Sequence, residues 1–350
     1  MKSLAREKLV PLLAEWATEY DVIAPLKSEQ GDIVVGAFDE GAFTLDYGKP
    51  ALSAKSACLP QSEITFTVRE GNYRGVIPET KTLLFGIRPC DMMGMLQTTS
   101  FMTRDQEDFY YRTRRDGTLI AVMACPGPQN ETCFCTTVSS GPWAERGYDL
   151  QFYDLGDSFL VEAGSEAGER LLGVTAFTGV DETEARRRIA SFREAAEERI
   201  AEVPDVTRAM ETMGEGMVDS EIWDYFGDKC LACGGCTFVC PTCTCFNVYD
   251  QVTEPGGGLR LRAWDACLYG GLTREASGHN PRPTQASRIR RRYEHKFLWF
   301  NKADTQGGLS GCVGCGRCSD YCPVHIGALE VTRAIAAGSW PGRTEATVRR

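Results

Sequence analysis

Histidine is scarce: His279, His295 and His325 are the only three in 350 residues. None stands in a metalloprotease or catalytic-triad context, and no nucleophile motif accompanies them. Substrate chemistry by general acid–base or covalent catalysis therefore has few candidates. Phosphate-cradling loops are missing too. There is no G-x-x-x-x-G-K-[ST] run, and no G-x-G-x-x-G follows a strand-like segment. A flavin or pyridine nucleotide, if one is used, is expected on a partner chain. No apolar run approaches the ~20 residues of a membrane helix. The N-terminal stretch is punctuated by Arg6, Glu7, Lys8 and Glu15, unlike a signal peptide. It reads as an amphipathic helix over residues 2–19, and the chain is expected to be cytoplasmic. Positive charge is in deficit, with a net charge of −10, which argues against bulk binding of nucleic acid or an anionic membrane.

Cysteine is abundant by contrast, with sixteen in the chain. Without an export signal such thiols stay reduced, so their clustering points to metal rather than disulfides.

Strand-like runs cover Asp32 to Phe38, Thr82 to Ile87, Thr118 to Ala124, Leu150 to Asp154 and Phe159 to Glu162. Helical patches lie between them, at Asp91 to Gln97 and Glu166 to Leu172. Glu182 to Glu202 is charged, Ala-rich and free of Gly and Pro, and predicts a helix that stops before Pro204. Met210 to Phe226 reads as a helical linker. From Cys230 onward Cys and Gly dominate and strand signals thin out. The expected organisation is an α+β or α/β domain over 1–220, then a ferredoxin-type domain over 221–350.

Two motifs carry the chemistry. Cys230, Cys233, Cys236 and Cys240 precede Pro241, and Cys312, Cys315, Cys318 and Cys322 precede Pro323. Each run is C-x2-C-x2-C-x3-C-P. In two-cluster ferredoxins three thiolates of such a run hold one 4Fe–4S cube and the fourth crosses to the other. Cys230, Cys233, Cys236 and Cys322 are thus expected on one cluster, and Cys312, Cys315, Cys318 and Cys240 on the second. Gly234, Gly235, Gly314 and Gly316 permit positive φ and aim N–H groups at cluster sulfur. Zinc is the competing reading, but a zinc site needs neither the third Cys nor the Cys-Pro exit. The two motifs are 71 residues apart (241–311), so the module is elaborated, with helices as the expected filler.

The other cysteines are less directive. Cys90 and Cys125 each follow a strand-like run, and Cys133 and Cys135 form Cys-Phe-Cys. They either converge on a third iron–sulfur cluster, as ligands at strand ends do in α/β folds, or pack. Cys243, Cys245 and Cys267 read as buried thiols beside a cluster in preference to accessory ligands of an additional centre. Cys58 reads as structural. His325 reads as partly exposed in preference to tuning a cluster. Arg282 to Lys296 holds six Lys/Arg and one Glu. It is a solvated helix face, a docking patch for an acidic partner, or a neutraliser of anionic clusters.

GIRPCD, the CFC pair, GYDLQFYDLGDSFLVEAGS, CPTCTCF, RLRAWDAC, SGHNPRP and HKFLWF occur in order between about residues 80 and 335. Together they resemble the two-cluster iron–sulfur beta subunits of cytoplasmic nickel–iron sulfhydrogenases. An iron–sulfur component of anaerobic sulfite reductase is similar. So are iron–sulfur subunits of flavin oxidoreductase modules that serve heterodisulfide reductases. The resemblance implies a mainly α-helical ferredoxin domain at the C-terminus. It also implies electron relay from a flavin- and NAD(P)-binding partner chain to a catalytic hydrogenase or reductase chain, or in reverse. On this reading the chain is an electron-transfer subunit of an oxidoreductase rather than a catalyst alone. The rival is a sulfur or disulfide reductase working at the N-terminal cysteines, and a zinc-stabilised scaffold is a third class.

Overall fold

The computed structural model describes residues 1–300 and 310–341. Its main element is an eight-stranded mixed sheet. The strands are β1 (Lys2–Ala5), β2 (Asp21–Lys27), β3 (Ile33–Ala37), β6 (Thr82–Ile87), β7 (Thr118–Met123), β8 (Leu150–Asp154), β9 (Ser158–Ala163) and β10 (Thr178–Gly179). The remaining strands are β4 (Ser62–Arg69), β5 (Asn72–Gly75), β11 (Phe246–Glu254) and β12 (Gly257–Trp264). The order in the large sheet is β10-β1-β9-β8-β7-β6-β2-β3, with β2, β6, β7 and β8 parallel in the centre. β6 is buried along its whole length, as a central parallel strand covered on both faces should be. One face packs under helix Leu9–Trp16 through Leu9, Leu12, Leu13 and Trp16. The other packs under helix Pro89–Thr103 through Met92, Met95 and Met102.

The strands at 33–37, 82–87, 118–123, 150–154 and 158–163 lie where the alternation predicts them. The N-terminus differs. Residues 2–5 are not helical but form β1, held between β9 and β10. The helix begins only at Leu9. The linker helix is also two helices, Pro204–Gly214 and Ser220–Lys229. Gly216 at φ +70° breaks it, and the Asp219 carboxylate restarts it by accepting from the Glu221 N–H at 3.0 Å.

The C-terminal segment departs further from expectation. Helices Ser220–Lys229, Gln285–Glu294 and Ala328–Ala337 are present, but two of the longest strands lie between them. β11 and β12 form a hairpin that joins β4 and β5 in a four-stranded antiparallel sheet, order β11-β12-β4-β5. Pro255-Gly256 makes the turn, with Gly256 at φ +77°. Arg262 on β12 is buried and pairs with Glu63 of β4 at 2.7 Å and with Asp108. Trp264 Nε1 donates to the Leu59 carbonyl at 3.0 Å.

The two halves interlock elsewhere as well. Phe134, wholly buried, and Val138 sit in the helical core beside Trp223, Phe226, Ile289, Tyr293 and Leu329. Burying a phenylalanine of this kind contributes about 2–3 kcal/mol. Gly94 of helix Pro89–Thr103 lies against Pro241, where an added Cβ would come within 2.5 Å of Pro241 Cβ. The exit of the first motif thus rests on the N-terminal sheet layer.

Candidate metal centres

Both cysteine motifs fold alike. Ala232 (φ +52°) and Gly314 (φ +62°) occupy equivalent left-handed positions. Gly234 (φ +73°) and Gly316 (φ +71°) each open a one-turn helix, Gly235–Phe238 and Arg317–Asp320. This is the tight wrap that two-residue gaps demand, and it needs positive φ at two points per loop.

The structure brings Cys230, Cys233, Cys236 and Cys322 to the wall of one cavity, closed by Leu268 and Ile326. Three donors point at its thiols. Ala232 N–H lies 3.4 Å and Gln285 Nε2 3.2 Å from Cys230 Sγ, and Ile326 N–H lies 3.3 Å from Cys322 Sγ. Donors to sulfur favour the more reduced, more negative cluster. Burial pushes the Cys236 thiol up to about 11.

Of the second set, Cys240, Cys312 and Cys318 are buried and Cys315 is half-buried, and they are near enough to influence one another's charge. Burial first, and then the charges of their neighbours within the group, raise Cys312 and Cys318 to about 12. Cys315 rises for the same reasons, with Cys240 as its nearest like charge. Lys296 Nζ sits 3.0 Å from Cys240 Sγ. Burial alone would discharge this lysine, yet the Cys240 and Cys243 thiolates hold its pKa above the ordinary range.

A third cavity gathers Cys90, Cys125, Cys133 and Cys135, with Cys315 and Gly314 in its wall. Cys90 opens the helix after β6 and Cys125 follows β7, so two adjacent parallel strands deliver them side by side. The Cys-Phe-Cys loop is docked on the second motif, where Phe134 N–H donates to the Gly314 carbonyl at 2.9 Å. Lys49 and Arg88 also line this cavity. Lys49 Nζ lies 3.8 Å from Cys133 Sγ, donates to the Cys315 carbonyl and pairs with Asp320 at 3.1 Å. Burial pushes Cys125 up to about 11 and Cys135 to about 12, and Cys90 well above its usual value.

Cys243, Cys245 and Cys267 meet at a fourth cavity with Arg292, His295 and Lys296. Cys58 sits apart in the core with Leu59, Leu84 and Tyr111. His325 is exposed, and its backbone N–H donates to the Cys322 carbonyl at 3.1 Å. The basic segment splits by face. Arg290 pairs with Glu294 at the surface, whereas Arg292 and Lys296 are buried and turned to the thiols.

All sixteen cysteines are free thiols. Among the described residues, no three Cys, His, Asp or Glu side chains gather closely enough to hold one metal ion by themselves. Four thiols spread around a cavity suit the corners of a cube better than a lone zinc ion. The buried cations facing them, Lys296 and Arg292, which among the described residues pair with no carboxylate, suit the negative charge of such a cube.

Fold and thiol arrangement define an iron–sulfur protein, and residues 229–326 match the 4Fe–4S dicluster domain family. The dicluster domain carries two 4Fe–4S clusters. Over 311 residues the sequence is 32% identical to Sulfhydrogenase 2 subunit beta of Pyrococcus furiosus, covering 87% of this chain and 88% of that protein. The chain belongs to the sulfhydrogenase beta-subunit family. No solved structure matches it. Among the described residues no helix is long and apolar enough to cross a membrane.

Proposed function

We propose that this chain is a cytoplasmic electron relay with three 4Fe–4S sites in line. Cys230, Cys233, Cys236 and Cys322 hold one, Cys312, Cys315, Cys318 and Cys240 the middle one, and Cys90, Cys125, Cys133 and Cys135 the third. When bound, such clusters take up and release single electrons. The residues described here hold the cubes, exclude water and set their charge environment. The observation that carries the reading is Cys315. It belongs to the middle group, yet it also lines the N-terminal cavity. Adjacent sites of this kind make one path across both halves of the molecule. Cys233 is exposed, so the path reaches the surface at the first site.

The relay connects a flavin- and NAD(P)-binding partner to a catalytic chain, which the relative's name suggests is a hydrogenase. In the assembled complex, Cys315→Ala should abolish overall turnover and leave the flavin partner's own reaction with an artificial acceptor intact. Loss of that partial reaction as well would sink the relay.

One feature favours the alternative, reduction of sulfur or a disulfide at the N-terminal thiols. A larger open cavity shares Gly141 and Ile200 with the wall of the third site, and the Ser140 hydroxyl in it has no partner. Purified chain with a chemical reductant decides: turnover of polysulfide by the chain alone supports the alternative, and its absence supports the relay.

A further inference from the structure

We propose that Cys243, Cys245 and Cys267 hold a fourth iron–sulfur cluster, in a cavity walled by Arg292, Lys296 and His295. This goes beyond the three-site relay and does not depend on the third site being loaded.

Three observations carry it. The first is convergence. Cys243 and Cys245 leave the first motif, and Cys267 returns after the β11–β12 hairpin, yet all three line one cavity. The second is size. This cavity holds about 20 Å³, the same as where Cys230, Cys233, Cys236 and Cys322 meet and as at the N-terminal thiols.

The third is charge. Lys55, Arg292 and Lys296 are 3%, 2% and 5% exposed. Among the described residues none of them has a carboxylate partner. Lys55 donates to the Cys243 carbonyl at 3.0 Å and to the Thr237 carbonyl at 3.3 Å. Arg292 reaches the Cys236 carbonyl at 2.7 Å and Cys243 Sγ at 3.5 Å, and its Nε has no partner at all. The contrast within the same protein is Arg317, equally buried but matched by both oxygens of Asp91. Several unmatched buried cations would be prohibitively costly beside an empty or neutral cavity. Lys296 serves the middle site through Cys240. That leaves Arg292, in the wall of the cavity, to balance an anion lodged among Cys243, Cys245 and Cys267, with Lys55 behind it, 4.2 Å over the Trp264 ring. A thiolate-ligated iron–sulfur cube is such an anion. The cavity offers three thiols, so the fourth corner of a cube there would not be thiolate-bound, and His295 in the same wall would be the side chain available to it.

The test is iron and acid-labile sulfide on the full chain, purified anaerobically, with EPR of the reduced state. Cys267→Ala should carry about four fewer of each than the wild type, with one EPR component lost. Cys90→Ala should lose a different component, so failure of the third site and of this one are told apart. Unchanged iron and sulfide in Cys267→Ala, or a single zinc ion lost in place of a cube, would overturn the proposal. If Cys267→Ala does not fold, Cys90→Ala decides: about twelve of each remain in it with the fourth cluster, and about eight of each rejects that cluster.

Discussion

At the scale of single residues, the two motifs differ at one telling position. Where the first has Gly235, the second has Arg317, wholly buried, donating to both Asp91 oxygens at 2.7 and 2.8 Å and to the Pro50 carbonyl at 2.8 Å. Removing one partner of such a pair strands a charge in the interior. Asp91→Ala should therefore lower unfolding stability by about 3–5 kcal/mol, read from denaturant curves of cluster-loaded protein. Lys296 makes a different kind of contribution. A cation 3.0 Å from Cys240 Sγ stabilises the extra electron of a reduced cluster. Lys296→Met should shift a midpoint potential to a more negative value in an EPR-monitored redox titration. A shift to a more positive value would show that the lysine acts in some other way.

Among the elements, the contact between the Cys-Phe-Cys loop and the second motif is the joint of the molecule. Gly314 has no room for a side chain, since a Cβ there would lie 2.6 Å from the Cys135 backbone. Gly314→Ala adds roughly 1–2 kcal/mol for the left-handed backbone before the clash is counted. It should strip iron from the N-terminal site first, and iron counts on the purified variant check this. The eight motif cysteines and the central strands β6, β7 and β8 were legible in the sequence because spacing and short apolar runs are local signals, whereas central β2 (Asp21–Lys27) was not anticipated. The hairpin was legible too, in Phe246-Asn-Val-Tyr and Leu259-Arg-Leu-Arg around Pro255-Gly256, but the cysteine-rich composition masked it. β1 was not, because four residues of KSLA become a strand only through their neighbours β9 and β10. Nor did the sequence reveal that Arg292 and Lys296 turn inward, since a run of basic residues does not state which face of its helix is buried. The meeting of Cys267 with Cys243 and Cys245 depends on the length of the hairpin between them.

For the whole molecule, the expected boundary near residue 220 separates segments that share a sheet. β4 loses its β12 neighbour in a fragment of residues 1–220, leaving Ile64, Phe66 and Val68 on an open edge. Such a fragment should aggregate or remain partly unfolded, judged by size-exclusion chromatography and near-UV circular dichroism. A monomeric, cooperatively folding fragment would show that the sheet pairing is dispensable.

That shared sheet also governs timing. Thr65 Oγ1 donates to the Arg260 carbonyl, a partner 195 residues further along. At about 5–20 residues per second, a ribosome takes roughly 10–40 s to deliver it. By the end of that interval Cys90, Cys125, Cys133 and Cys135 have left the tunnel, while Gly314, on which their loop closes, has yet to be made. Their cavity is finished only after Gly314 and Cys315 have been translated. A cluster held by those four cysteines would therefore be inserted only after the second motif has been made, and until then their thiols stand without that cover.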